Sequence, residues 1–177
     1  MRKRQRGFSL IELLIVVAII LIIAAIAIPN LLRSRMAANE ASAVGSVRTI
    51  NTAAVTFYTT YGDGYPPSMA AIGTTGTAAI SCANAGLIDS VLTGGTKSGY
   101  TFALGPGVTA TAAANVPAGC AAGWQDGYTI TATPATVGTT GQRAFCSDAT
   151  GVIRQDPTGA ATVAAPVCAA AMTPINN

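Results

Sequence analysis

From Leu13 to Ile28 the chain carries sixteen consecutive residues without one polar side chain. A helix written in such a run is apolar on every side, so it cannot float on a water-facing surface. Phe8 to Ile28 is 21 residues, which at 1.5 Å per residue gives about 31 Å, enough to cross the hydrocarbon core of a bilayer. The run is flanked by a basic start, Arg2, Lys3, Arg4 and Arg6, which by the positive-inside rule stays cytoplasmic while the rest crosses. One carboxylate, Glu12, stands near the outer end of the apolar stretch. An ionised side chain in hydrocarbon costs about 2.5–3.5 kcal/mol on insertion scales, so an intramembrane carboxylate implies a function.

An ordinary cleaved secretory signal is the simplest rival. The basic start, the apolar run and Ala25-Ile26-Ala27 match its three regions. Against it, the run exceeds the usual apolar core of about 7–15 residues, Glu12 is a costly intrusion there, and no polar boundary follows. A plain single-span anchor explains the hydrophobicity but not Glu12, four residues after Phe8, nor Gly7 before Phe8 at the membrane boundary.

Past the run, residues 31–61 hold no proline and only Gly45. Val44, Val47, Ile50, Ala54, Phe57 and Tyr61 recur at steps of three and four, one apolar stripe, with Arg48, Asn51, Thr52 and Thr59 largely off it. Helix is therefore expected from Phe8 to Tyr61, about 80 Å long. Pro29 removes the hydrogen bond to the Ala25 carbonyl, so a kink is expected there. Phe57, Tyr58 and Tyr61 are read as packing against a sheet. Gly62-Asp63-Gly64-Tyr65-Pro66-Pro67 ends the helix with turn chemistry. Residues 68–98 read as a connecting region with a short helix at Ala85–Leu92. Strands are expected at Tyr100–Leu104, at Tyr128–Ala132 (half-buried, from its alternation of apolar residues with threonine), at Arg143–Ser147 and at Val152–Gln155, the last two joined by a turn at Asp148-Ala149-Thr150-Gly151. Gly105–Gly123 reads as a loop bearing Cys120, and the tail from Thr158 as held by Cys168. A helix followed by antiparallel strands predicts an α+β fold: a long N-terminal helix, half transmembrane and half amphipathic, packed on an antiparallel sheet.

The formal charge of +3 belongs to the leader. Four of the ten basic residues lie in residues 1–7, leaving six Lys/Arg against seven Asp/Glu in the remainder. No Lys/Arg cluster survives there, so no direct nucleic-acid site is evident. The four cysteines, Cys82, Cys120, Cys146 and Cys168, all follow the apolar run and fit no zinc spacing. An even number in an exported domain reads as disulfides. Three connectivities are open; ease of closing short loops favours Cys82–Cys120 and Cys146–Cys168. The chain has no histidine, and no nucleophile–base pairing or phosphate-binding loop can be read from spacing, so no catalytic residue and no cofactor is assigned.

Gly7-Phe8-Ser9-Leu10-Ile11-Glu12 resembles the processing site of the type IV pilins and of the related pseudopilins of type II secretion. The resemblance covers residues 1–61 and extends, more weakly, to Gly99–Phe102, Gly141–Phe145 and Gly151–Arg154. It implies a pilin-like fold and a prepilin peptidase that cuts after Gly7 and methylates the new N-terminus, Phe8. It divides the chain into a cleaved leader (1–7), a transmembrane and assembly helix (8–28), its amphipathic continuation (29–61), a connecting region (62–98) and a sheet head with its tail (99–177). Glu12 of an incoming subunit would pair with the Phe8 amine of its neighbour and set axial register. The partners implied are further copies of the chain in a helical homopolymer, the peptidase, the inner-membrane assembly machinery and, before assembly, the inner membrane itself, with the head periplasmic; afterwards the subunit sits in an extracellular pilus, where adhesion, twitching motility and DNA uptake are filament-level roles. The expectation is a structural subunit, a major pilin rather than an enzyme. The alternatives are a type II secretion pseudopilin and an exported binding module on a simple anchor. Some pseudopilins carry calcium, and Asp126, Asp148 and Asp156 are the acids available; their spacing matches no calcium loop, and acidic turn residues explain them better.

Overall fold

The computed structural model describes residues 8–62, 64–74, 79–106, 120, 125–161, 163–164 and 167–175. The chain forms two units, Met1–Arg35 and Met36–Asn177. The leader with Gly7, and most of the expected Gly105–Gly123 loop, lie outside the described residues.

Helix α1, Leu10–Tyr61, is 52 residues long and continuous through Pro29. Its first part is rich in Ile and Val, which are indifferent helix formers in water. In lipid that preference inverts, because every backbone N–H and C=O must be satisfied within the segment and a helix does so. It is long and apolar enough to cross a membrane. The helix ends where Gly62 takes φ +89° and donates its N–H to the Tyr58 carbonyl, a conformation that costs glycine little.

The second unit is α+β. After α1 come two single-turn helices, α2 (Met69–Ile72) and α3 (Ser90–Thr93), and strands β1 (Thr96–Lys97), β2 (Tyr100–Pro106), β3 (Tyr128–Pro134), β4 (Ala144–Asp148), β5 (Ile153–Asp156), β6 (Val163–Ala164), β7 (Val167–Cys168) and β8 (Thr173–Pro174). Six strands form an antiparallel sheet in the order β1-β2-β3-β4-β5-β8, and β6–β7 is a separate ribbon. Ser98 (φ +51°) and Gly99 (φ +72°) turn the chain between β1 and β2, where Lys97 pairs with Tyr100. Two positive φ values in a two-residue loop follow the twist of a hairpin.

One sheet face packs on α1. Ala43, Val47, Ile50, Ala54 and Phe57 of the helix share a core with Tyr100, Phe102, Tyr128, Ile130, Ala132, Phe145 and Ile153 of the sheet. Tyr100 is fully buried, donates to the Arg143 carbonyl at 2.7 Å, and lies over Gly141, where a Cβ would run into its ring. The other face of β3 and β4 is covered too. Cys146, on that face, is bonded to Cys168 of β7, and Met172 packs on the pair.

Two expectations need correction. The β3 alternation holds from Ile130 on, with Thr131 and Thr133 only half-buried, but Thr129 is just 2% exposed, at the end of β3 where its partner Asp148 is tied to Cys168 of the tail. The helix expected at Ala85–Leu92 is only Ser90–Thr93, capped by Asp89, whose carboxylate accepts from the Leu92 N–H. Ahead of it, Gly86 takes φ +64°, and the N–H groups of Ala85, Leu87 and Ile88 donate to the carbonyls of Ala71 and Ile72. The left-handed φ at Gly86 breaks any helix begun at Ala85, and these bonds tie the segment to α2 instead.

Candidate functional site

The first unit places the sequence-marked residues together at the start of α1. Phe8 is 75% exposed. The Ser9 carbonyl accepts from the Leu13 N–H at 3.2 Å, which opens the helix, and Glu12 stands in its first turn. A carboxylate there is favoured by the unpaired N–H groups and the helix dipole. Ser9 and Glu12 also have the spacing of a capping box. From Phe8 to Leu32 the large aliphatic side chains are exposed, from 46% at Val16 to 79% at Leu10. Glu12 is the sole ionisable side chain of that stretch. A helix apolar all round must be covered by lipid or by other helices.

In the second unit, two polar ties hold α1 to the sheet. Glu40, 8% exposed, accepts four hydrogen bonds: from the N–H groups of Gln142 (2.9 Å) and Arg143 (3.2 Å), and from Nε (2.8 Å) and Nη2 (2.6 Å) of Arg143. Arg143 also donates to Gln155 at 2.7 Å and lies over the Phe145 ring. Burial alone pushes the Glu40 carboxyl up. The bonds from Gln142 and Arg143, with the guanidinium charge, outweigh that and hold it below its ordinary value. The second tie is Asn51, which donates to Ser147 Oγ at 2.8 Å and accepts from Tyr128 Oη at 3.1 Å. Burial raises both Tyr100 and Tyr128 to about 12. Neither tie emerged from the sequence reading, although one signal for Glu40 was present: it stands on the stripe of positions 43, 47, 50, 54 and 57, where an acid must find a buried partner.

The cysteines pair as Cys82–Cys120 and Cys146–Cys168. The aspartates do not converge. Asp156 lies opposite Ala144, at the far end of the β4–β5 pair from Asp148; four residues of strand separate them, about 13 Å. Each instead folds a turn of the same type. In Asp148-Ala149-Thr150-Gly151 and Asp156-Pro157-Thr158-Gly159, the carboxylate accepts from the threonine N–H and hydroxyl, and the glycine has φ +74° in the first and +80° in the second. Asp148 also accepts from the Cys168 N–H. Burial works against its charged form, but the bonds from Thr150 and Cys168 and the Arg154 charge leave its pKa lowered. Among the described residues no group of three His, Cys, Asp or Glu is placed to hold a metal. The chemistry at hand is thus charge pairing and apolar packing along the stem.

Residues 2–28 match the family model of the prokaryotic N-terminal methylation motif. The chain is similar to the type IV major pilin protein PilA of Myxococcus xanthus, 47% identical over 55 residues, which are 31% of this chain and 25% of the relative. It is also similar to the type IV wide pilus major component PilA4 of Thermus thermophilus, 60% identical over 38 residues, 22% of this chain and 29% of the relative. The matches thus span between a quarter and a third of the length of these curated relatives. No solved structure matches the chain significantly. Motif and relatives agree in a likeness to type IV pilins over up to a third of the chain, and the α+β fold, a long apolar N-terminal helix with an antiparallel sheet, is pilin-like.

Proposed function

We propose that this pilin-like chain is a structural subunit, of the major kind, of a type IV pilus. It is cut after Gly7 by a prepilin peptidase, methylated on the Phe8 amine, and polymerised through its N-terminal helix. The observation that carries this reading is the stem from Phe8 to Leu32, exposed and apolar on all sides with one carboxylate in its first turn. Before assembly it crosses the inner membrane once, with the head in the periplasm; the assembly machinery then moves it into an extracellular filament, helices central and heads outside.

The chemistry is economical. Gly7 has no side chain beside the scissile bond, so a peptidase approaches the backbone closely. Cleavage creates an amine on Phe8 with an unperturbed pKa near 8, and methylation keeps its positive charge. A buried charge is costly alone and tolerable when paired. In the filament the Glu12 carboxylate pairs with the Phe8 amine of a neighbouring copy, which sets register while the aliphatic faces supply the packing energy. The pairing partner exists only after cleavage, so processing converts a membrane protein into a filament subunit.

The test is mass spectrometry of filaments sheared from cells, with Glu12→Gln and Glu12→Ala alongside. The expected result is a chain beginning at methylated Phe8 in extracellular fibres, and variants that insert in the membrane but assemble poorly. Normal fibres in normal amounts from Glu12→Ala would sink the pairing role. A processed chain with no extracellular fibre would point instead to a periplasmic pseudopilus.

A further inference from the structure

We propose that Arg33 and Arg35 form a basic collar that binds the phosphates of anionic phospholipids at the membrane face opposite the leader. The inference rests on the reading of the stem as membrane-spanning. With Phe8–Ile28 filling the hydrocarbon, Arg33 lies five residues past Ile28, about 7.5 Å further along the helix. The headgroup layer on each side of a bilayer is about 5–7 Å deep, and long basic side chains reach back to it along an apolar surface. Two residues apart on a helix, the arginines point about 200° away from each other, so they grip the headgroups from opposite sides of the stem.

Their surroundings leave them available. Both are exposed, and among the described residues neither makes an ion pair. Between Glu12 and Glu40 they are the only ionisable side chains. The unit that follows cannot substitute for them: residues 36–177 carry four Lys/Arg against six Asp/Glu, a formal −2 that an anionic surface repels. Guanidinium suits the task because its fork meets two phosphate oxygens at once, which an ammonium does not. Once a leader is removed, Arg33 and Arg35 are the only basic side chains between Phe8 and Glu40.

The full chain is placed in nanodiscs of equal phosphatidylglycerol and phosphatidylcholine, and the lipids it retains on release are weighed by native mass spectrometry. The leader contributes equally to every variant, so differences report the collar. A basic side chain at an anionic surface contributes about 1 kcal/mol. The preference for phosphatidylglycerol should therefore fall about fivefold for Arg33→Gln or Arg35→Gln and about thirtyfold for both, with Arg33→Lys/Arg35→Lys keeping most of it. An unchanged preference in the double glutamine variant, in a protein that resists alkaline carbonate extraction, overturns the collar and leaves the membrane-spanning reading intact. Release of the wild-type chain by carbonate overturns that reading and the collar with it.

Discussion

Replacing Glu40 by glutamine keeps the shape of the side chain and removes its charge. In the native protein one carboxylate oxygen takes the N–H groups of Gln142 and Arg143, and the other takes the Arg143 fork at 2.8 and 2.6 Å. Glutamine can still accept from the two backbone groups, but its amide NH2 then faces the guanidinium, donor against donor. Breaking a buried ion pair costs about 3–5 kcal/mol. The Arg143 side chain is 44% exposed, so water offsets part of that loss, and about 2–3 kcal/mol is expected. For a head of this size that is a fall in Tm of about 6–12 °C. Circular dichroism of the detergent-solubilised chain measures it, and pH separates the ion pair from mere packing. The Glu40 pKa is lowered in the folded state, so its contribution is full above the unfolded value of about 4.3–4.5 and is lost as pH falls through the folded one. The gap between wild type and Glu40→Gln should close in acid. A variant that melts within about 1 °C of wild type at neutral pH, or a gap as wide in acid as at pH 7, refutes the argument.

Two further outcomes can be checked on the same protein. Removing either disulfide should destabilise the head by about 3–4 kcal/mol, with the Cys82–Cys120 bridge costing slightly more because it closes 38 residues against 22; paired Cys→Ser variants compared by urea denaturation decide it. In an absorbance titration two of the five tyrosines, Tyr100 and Tyr128, should ionise only at about pH 12. Their raised folded pKa values also mean stability that is complete below pH 10 and lost as pH rises towards 12, a decline that Tyr128→Phe should soften.

How much of this molecule can be read from its sequence depends on whether the deciding partners are local. The stem is legible because composition alone marks it: an all-apolar helix must be covered on every side, by lipid or by other helices, and Glu12 stands out because its neighbours are all aliphatic or aromatic but for Ser9. The stripe from Val44 to Tyr61 is legible by periodicity, and the strands by their β-branched and aromatic runs. The burial of Thr129 is not, because the alternation of Tyr128-Thr129-Ile130-Thr131 is the same whether that threonine meets water or lies beside a strand end tied to Cys168 of the tail. The length of α3 is hidden for a similar reason: the N–H groups of Ala85, Leu87 and Ile88 are claimed by carbonyls more than ten residues earlier. Glu40 is the instructive middle case. Its partner is 103 residues away, beyond any pattern, yet its own position on the buried stripe marks it as an acid that cannot be left alone. The second unit has only four basic residues to offer as a partner. In a chain this poor in charge, an ionised group that falls on an apolar stripe calls for a specific partner: Glu40 finds its own within the fold, and for Glu12 the proposed partner is the Phe8 amine of a neighbouring copy.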